Sequence, residues 1–136
     1  MIKLDLANIR CGDFAEVKKL MTIEMTKNFA NISEDFNPIH LDEKYASKSR
    51  YKKKIIHGLM AVSLFSGLFG TKLPGEGSIY KSQNIRFKRP IYIGDTVLAR
   101  IEVTSVDYQN KIISFKTQCK VNKKIMIDGE SEIFLP

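Results

Sequence analysis

The segment HGLMAVSLFSGLFGTKL constrains this chain more than any other, because it reads as a helix with no charged residue from Gly58 to Thr71. Leu59, Met60, Val62, Leu64, Phe65, Leu68 and Phe69 fall all round its circumference. A helix without a polar face has to be surrounded by something apolar. It is shorter than the stretch of about 18 apolar residues expected of a membrane span, and Ser63, Ser66, Gly67 and Gly70 interrupt it. The segment therefore belongs in a protein core. A chain of 136 residues, 43% of them hydrophobic, is large enough for one such core and too short for two domains of ordinary size. A single domain over 1–136 is expected.

What surrounds the helix follows it in the chain. LPGEGS stops it, and four strand-like runs come next, at 79–88, 96–106, 111–121 and 125–135. Turn chemistry separates them at Pro90, Gly94-Asp95, 107–110 and 122–124. Upstream, FAEVKKLM suits a first strand, and Thr22 can cap a helix carrying Met25, Phe29 and Ile32 that ends at Ser33-Glu34-Asp35. These elements predict an α+β fold, a curved antiparallel sheet wrapped around a long buried central helix with its last four strands in a meander, the arrangement known as a hotdog. The edges of such a sheet are unpaired, and a second copy related by a two-fold axis covers them most simply, so a homodimer is expected.

The start of the chain, MIKLDLANIRCGD, places Lys3, Asp5 and Arg10 where an export signal needs an apolar core, which points to the cytoplasm. Cys11 and Cys119 have no CxxC neighbour and no histidine at ligand spacing, so neither a disulfide scaffold nor a zinc site is indicated. The net charge of +7 favours polyanionic partners, with a local excess in KSRYKKK at 48–54. Nucleic acid, acidic protein, a phosphorylated cofactor or simple solvation of a basic loop would each account for it. GxGxxG and GxxxxGK[ST] are both lacking, and GTKLPGEGS does not have phosphate-loop spacing.

Between the first helix and the apolar one, 35–56 is polar, irregular apart from one short helical turn after Asp42, and long for a passive connection. It opens with DFNPIH. Asp, Asn and Pro are turn residues, but a turn has no use for His40. A bend across Pro38 can bring Asp35 and His40 to one small volume while Asn37 holds the bend. Such an acid/base pair can move protons as water adds to an activated double bond. The reaction also needs a donor for the charge that builds on a conjugated carbonyl oxygen. His57-Gly58 opens the apolar helix, where N–H groups are unpaired and carry partial positive charge, and Gly58 has no side chain to keep a substrate away. The backbone position of His57 already accounts for its place at the helix entrance. Gln83 either turns toward the site or lies at a strand edge.

DFNPIH, then HGLMAVSLFSGLFG, then LPGEGSIYKSQNIRFKRPIYIGDTV together resemble the MaoC-like hotdog proteins, specifically the short (R)-specific enoyl-CoA hydratases, over about 12–136. The resemblance implies reversible syn addition of water to a trans-2-enoyl-CoA. It implies Asp35 and His40 as the catalytic pair, Gly58 as donor to the thioester carbonyl, Asn37 as loop and active-site support, and Ser66 as a hydroxyl near the pair. It further implies no cofactor or metal, an acyl-CoA or acyl carrier protein thioester as substrate, and neither nucleic acid nor membrane as partner. Lys54 stands where family members commonly have a proline, which bears on the shape of the loop approaching Gly58. A hotdog thioesterase would use the same helix amide but not the Asp35–His40 combination. The dehydratase type with a carboxylate on the central helix does not fit, since 59–71 contains no Asp or Glu. A non-catalytic binding module leaves Asp35, His40 and Gly58 without a purpose.

Overall fold

The computed structural model describes residues 2–136. After a single 3-10 turn at Leu6–Asn8 come strand β1 (Phe14–Leu20), helix α1 (Ile23–Ser33), two short helices α2 (Pro38–Leu41) and α3 (Glu43–Ser47), helix α4 (Gly58–Thr71), and strands β2 (Ile79–Phe87), β3 (Thr96–Asp107), β4 (Ile112–Val121) and β5 (Lys124–Phe134). Local chemistry sets the helix limits. The Thr22 hydroxyl accepts from the Met25 N–H at 3.1 Å, and Glu34 in the left-handed region ends α1. Asn37 and Asp42 cap the two short helices by accepting from Ile39 and Tyr45. The turn expected after Asp42 is α3; α2, which carries His40, is an additional element made by the Asn37 cap and Pro38 in its first turn.

The sheet is antiparallel in the order β1-β3-β4-β5-β2. Only β3, β4 and β5 form the expected meander; β2 pairs with β5 instead of its chain neighbour β3. The reason is that β1 holds the other edge of β3, in a register that sets Glu16 beside Arg100 at 3.1 Å and the Arg100 guanidinium over the Phe14 ring. The chain from β2 to β3 therefore crosses one end of the sheet. Its backbone is tied to Met126 by the Lys88 and Arg89 N–H groups, to Ile56 through the Ile91 carbonyl at 2.8 Å, and to Met21 by the Gly94 N–H at 2.7 Å.

One face of the sheet packs on α4. Alternate residues of β3 and β4, including Ala99, Ile101, Val103, Ile113, Phe115 and Cys119, are buried against Met60, Ala61, Phe65, Leu68 and Phe69. Phe69 meets Phe115 edge to face at 4.7 Å, an arrangement aromatic pairs favour. The sheet nevertheless covers α4 on one side only. Leu59 is 58% exposed, and Ser63, Ser66 and Gly67 are exposed with it. The apolar helix is thus half-enclosed by its own chain, beside an edge strand, β2, that shows Ile79, Tyr80 and Phe87 to solvent. Among the described residues, no helix is long and apolar enough to cross a membrane.

Candidate active site

The chain from the end of α1 to the start of α4 builds the site by successive local hydrogen bonds. Ser33 Oγ accepts from the Asp35 N–H at 3.1 Å, Asp35 Oδ1 from the Asn37 N–H at 3.1 Å, and Asn37 Oδ1 from the Ile39 N–H at 3.2 Å. These Asx-type turns keep the Asp35 carboxylate at the surface, 48% exposed, while α2 carries His40 inward to a buried position. The Asp35 Oδ2 and His40 Nε2 atoms lie 3.8 Å apart. That is too long for a direct hydrogen bond and suits one water held by both.

His40 Nδ1 donates to the Ile55 carbonyl at 2.7 Å, which fixes the ring orientation and leaves Nε2 as the basic nitrogen of the neutral imidazole. Burial, the largest influence, lowers its pKa from 6.5; the Ile55 carbonyl raises it, His57 lowers it and Asp35 raises it. The net result favours a neutral ring with a free lone pair at neutral pH.

Gly58 starts α4, and its N–H has no partner within the helix, whereas the Met60 N–H already bonds to the His57 carbonyl at 3.0 Å. A Cβ at this position would lie 2.4 Å from Phe87 Cε1. Gly58 and His40 open onto one cavity of about 390 Å³, whose apolar walls include Ile55, Ile56, Phe87, Ile91 and Ile127. Arg50, Lys88 and Arg89 also line it. The size is that of a small-molecule site, apolar with a few polar groups converging on it.

Asp35 and His40 are accordingly brought together, Gly58 lies on the cavity onto which His40 opens, and Asn37, exposed and outside that lining, holds the turn between Asp35 and α2. Ser66 is not brought there: it lies on the exposed face of α4, eight residues beyond Gly58 and so roughly 12 Å along the helix axis, away from the pair of its own chain. Gln83 turns onto the helix-facing side of the sheet but not to His40; its Nε2 donates to Thr117 Oγ1 at 2.9 Å and its Oε1 accepts from Ser131 and Tyr80. Of the basic residues at 48–54, Arg50 lines the cavity with Tyr51, whereas the Lys53 ammonium sits over the Tyr92 ring at 5.2 Å. Lys54 does not unsettle the approach to Gly58, which is anchored by Ile55 N–H to Ile39 O and Ile56 N–H to Ile91 O.

His57 belongs to the cluster that sequence reasoning confined to the helix entrance. Its ring stacks on His40 with centroids 3.9 Å apart, and its Nε2 donates to the Asp35 carbonyl at 2.9 Å. One ligand atom from each of Asp35, His40 and His57 falls within 4.8 Å of the others, a spacing that could suggest a metal site. His57 Nε2 is engaged by the Asp35 carbonyl at 2.9 Å, so that nitrogen acts there as a hydrogen-bond donor. Lys88 and Arg89 also escaped sequence reasoning, since their nearness to Gly58 depends on the crossing from β2 to β3.

The MaoC like domain model matches residues 14–125. The chain is 38% identical to an (R)-specific enoyl-CoA hydratase of Rhodospirillum rubrum, over 95% of this chain and 90% of that protein. The solved (R)-hydratase from Aeromonas caviae involved in PHA biosynthesis superposes with a TM-score of 0.93 and 38% identity, covering 95% of this chain and 98% of that one. A mitochondrial 3-hydroxyacyl-[acyl-carrier-protein] dehydratase of Arabidopsis thaliana is 32% identical over 94% of this chain and 78% of its own length.

Proposed function

The chain belongs to the MaoC-like domain family, and from that premise we propose that it is an (R)-specific enoyl-CoA hydratase, adding water reversibly and syn to a trans-2-enoyl-CoA. The observation that carries this reading is the Asp35–His40 pair, 3.8 Å apart, with His40 opening onto the same cavity as the Gly58 helix start.

Water held between the carboxylate and His40 Nε2 attacks C3 of the enoyl group as Nε2 takes one of its protons. The C2–C3 π electrons move toward the thioester carbonyl, whose oxygen gains charge against the Gly58 N–H. The imidazolium then returns a proton to C2 on the same face, so one water is consumed and the enzyme is unchanged. Asp35 orients the water and stabilises the transient imidazolium. Dehydration is the same path reversed. Loss of the enoyl-thioester absorbance of crotonyl-CoA, with (R)-3-hydroxybutyryl-CoA on a chiral column, is the expected result. Predominant (S) product or release of free thiol would overturn the reading.

The working form is a homodimer. The exposed face of α4 and the open edge of β2 are adjacent, apolar in part and unpaired, and a second copy related by a two-fold axis covers both. Ser66 on that face then serves the assembled site across the interface. Sedimentation at a monomer mass in the active protein would refute this. The basic cavity residues Arg50, Lys88 and Arg89 suit the phosphates of CoA and equally an acidic acyl carrier protein, and the likeness to the plant dehydratase keeps that carrier as a second reading. Comparing kcat/KM for crotonyl-CoA and the crotonyl carrier protein decides between them. The free thiols Cys11 and Cys119 fit a reducing compartment, the cytoplasm.

A further inference from the structure

His57 occupies the N-cap of α4, where Ser, Thr, Asp or Asn would bond to the first free N–H groups and stabilise the helix, yet its side chain makes no capping hydrogen bond. The ring is 3% exposed, and its Nδ1 is buried without a hydrogen-bond partner. A helix entrance alone explains neither feature, because a capping residue would avoid both. What the imidazole does instead is reach back to the loop after α1. Its Nε2–H bonds to the Asp35 carbonyl at 2.9 Å, across 22 residues of chain, and its face supports the His40 ring at 3.9 Å with an interplanar angle of 29°. Phe29 of α1 backs the His57 ring, with centroids 5.0 Å apart.

We propose that His57 is a positioning residue of the hydration site, one buried ring that clamps the main chain of Asp35 and forms the shelf for His40, thereby setting the gap in which the attacking water sits. This rests on the hydratase reading above. The clamp requires a particular tautomer, with the proton on Nε2 of His57, and the Ile55 carbonyl requires the complementary one, with the proton on Nδ1 of His40. The stack also has an electrostatic effect. The charged and titratable groups facing His40 are Asp35 and His57, with Arg50, Tyr51, Lys88 and Arg89 lining the cavity onto which His40 opens. Of these, His57 acts with burial to hold His40 in its neutral, proton-accepting form, while Asp35 acts the other way.

Two substitutions separate the parts of the role. His57→Phe keeps a ring for the stack and loses the donor; His57→Gln keeps an N–H at similar reach and loses the ring. With circular dichroism unchanged, kcat for crotonyl-CoA should fall by about 10–100-fold in His57→Phe, the scale of a misplacement of about 1 Å, while KM changes little. His57→Gln should recover part of that loss. In both, the acid limb of the pH–rate profile should move to higher pH, which a purely structural residue would not cause. Long-range ¹H–¹⁵N spectra of the unaltered protein test the clamp without any variant, and should show the Nε2–H tautomer for His57. A proton on His57 Nδ1, or folded variants with unaltered kcat and acid limb, would overturn the proposal. Absence of turnover in the unaltered protein would instead overturn the hydratase reading, and this one with it.

Discussion

Phe87 stands where a side chain on Gly58 would have to go: a Cβ there would lie 2.4 Å from Cε1 and 2.7 Å from Cδ1 of the ring. The strand at the sheet edge and the first residue of the central helix thus meet at the point where the cavity receives its carbonyl donor. The contact is with an exposed, rotatable ring rather than with backbone, so the fold can yield there while the cavity cannot keep its shape.

Gly58→Ala should therefore separate stability from activity. Alanine is the better helix former by up to about 1 kcal/mol, which offsets the cost of moving the Phe87 ring. The melting temperature should stay within a few degrees. The methyl group and displaced ring crowd the carbonyl oxygen away from the Gly58 N–H, and losing such a donor typically costs about 10²–10³-fold in kcat. Equal losses of stability and activity would show that Gly58 is needed only for packing.

The pH dependence follows from His40. With its pKa below 6.5 in the fold, the acid limb of kcat/KM should lie below pH 6.5, because the base works only when neutral. Stability has the same sign. Between the lowered folded value and the ordinary unfolded one the unfolded chain binds more protons, so the contribution of this group is complete above about pH 6.5 and is lost as pH falls through the folded value. Denaturant titrations compared at His40 and His40→Phe should show the acid-side loss only in the unaltered protein.

The cavity selects among the basic residues. Arg50 and Lys88 line it, Lys88 while also 3.3 Å from Asp128, whereas Lys48 and Lys52 are exposed elsewhere on the loop. Arg50→Ala and Lys88→Ala should raise KM for crotonyl-CoA several-fold with kcat nearly unchanged, as expected when uniform binding is lost, and the effect should shrink as salt rises. Lys48→Ala and Lys52→Ala should leave KM alone. Equal effects at all four positions would mean that only net charge matters.

Much of this was legible in the sequence because local chemistry determined it. The Thr22 cap, the apolar α4, the strand limits and the Asx turns from Asp35 to Asn37 depend on residues close together in the chain. What escaped depends on contacts made at a distance. The pairing of β2 with β5 follows from β1 having taken the edge of β3, which no property of β2 reveals. That crossing is also what carries Lys88 and Arg89 to the cavity. His57 was visible as half of an HG pair, but its function lies in a ring reaching Asp35, 22 residues earlier. Ser66, placed at the site by resemblance, lies on an open helix face of its own chain, so its part in the site depends on a second copy rather than on contacts within one chain.

The pair itself gives the most demanding test. Asp35→Asn preserves the shape of the turn, since the Asn amide oxygen can still accept from the Asn37 N–H as Asp35 Oδ1 does, but it removes the charge facing His40 Nε2. His40→Ala removes the ring and leaves the Ile55 carbonyl to water from the cavity that both residues line. Each should lower kcat by about 10²–10⁴-fold, the usual worth of a positioned acid/base group, with circular dichroism and oligomeric state unchanged. The double variant should be scarcely worse than the worse single one. The two groups lie 3.8 Å apart and act on one water in the proposed step, so losing either disables the step they share. Multiplicative losses would assign the groups to separate steps, and near-normal turnover in either single variant would reduce DFNPIH to a structural turn.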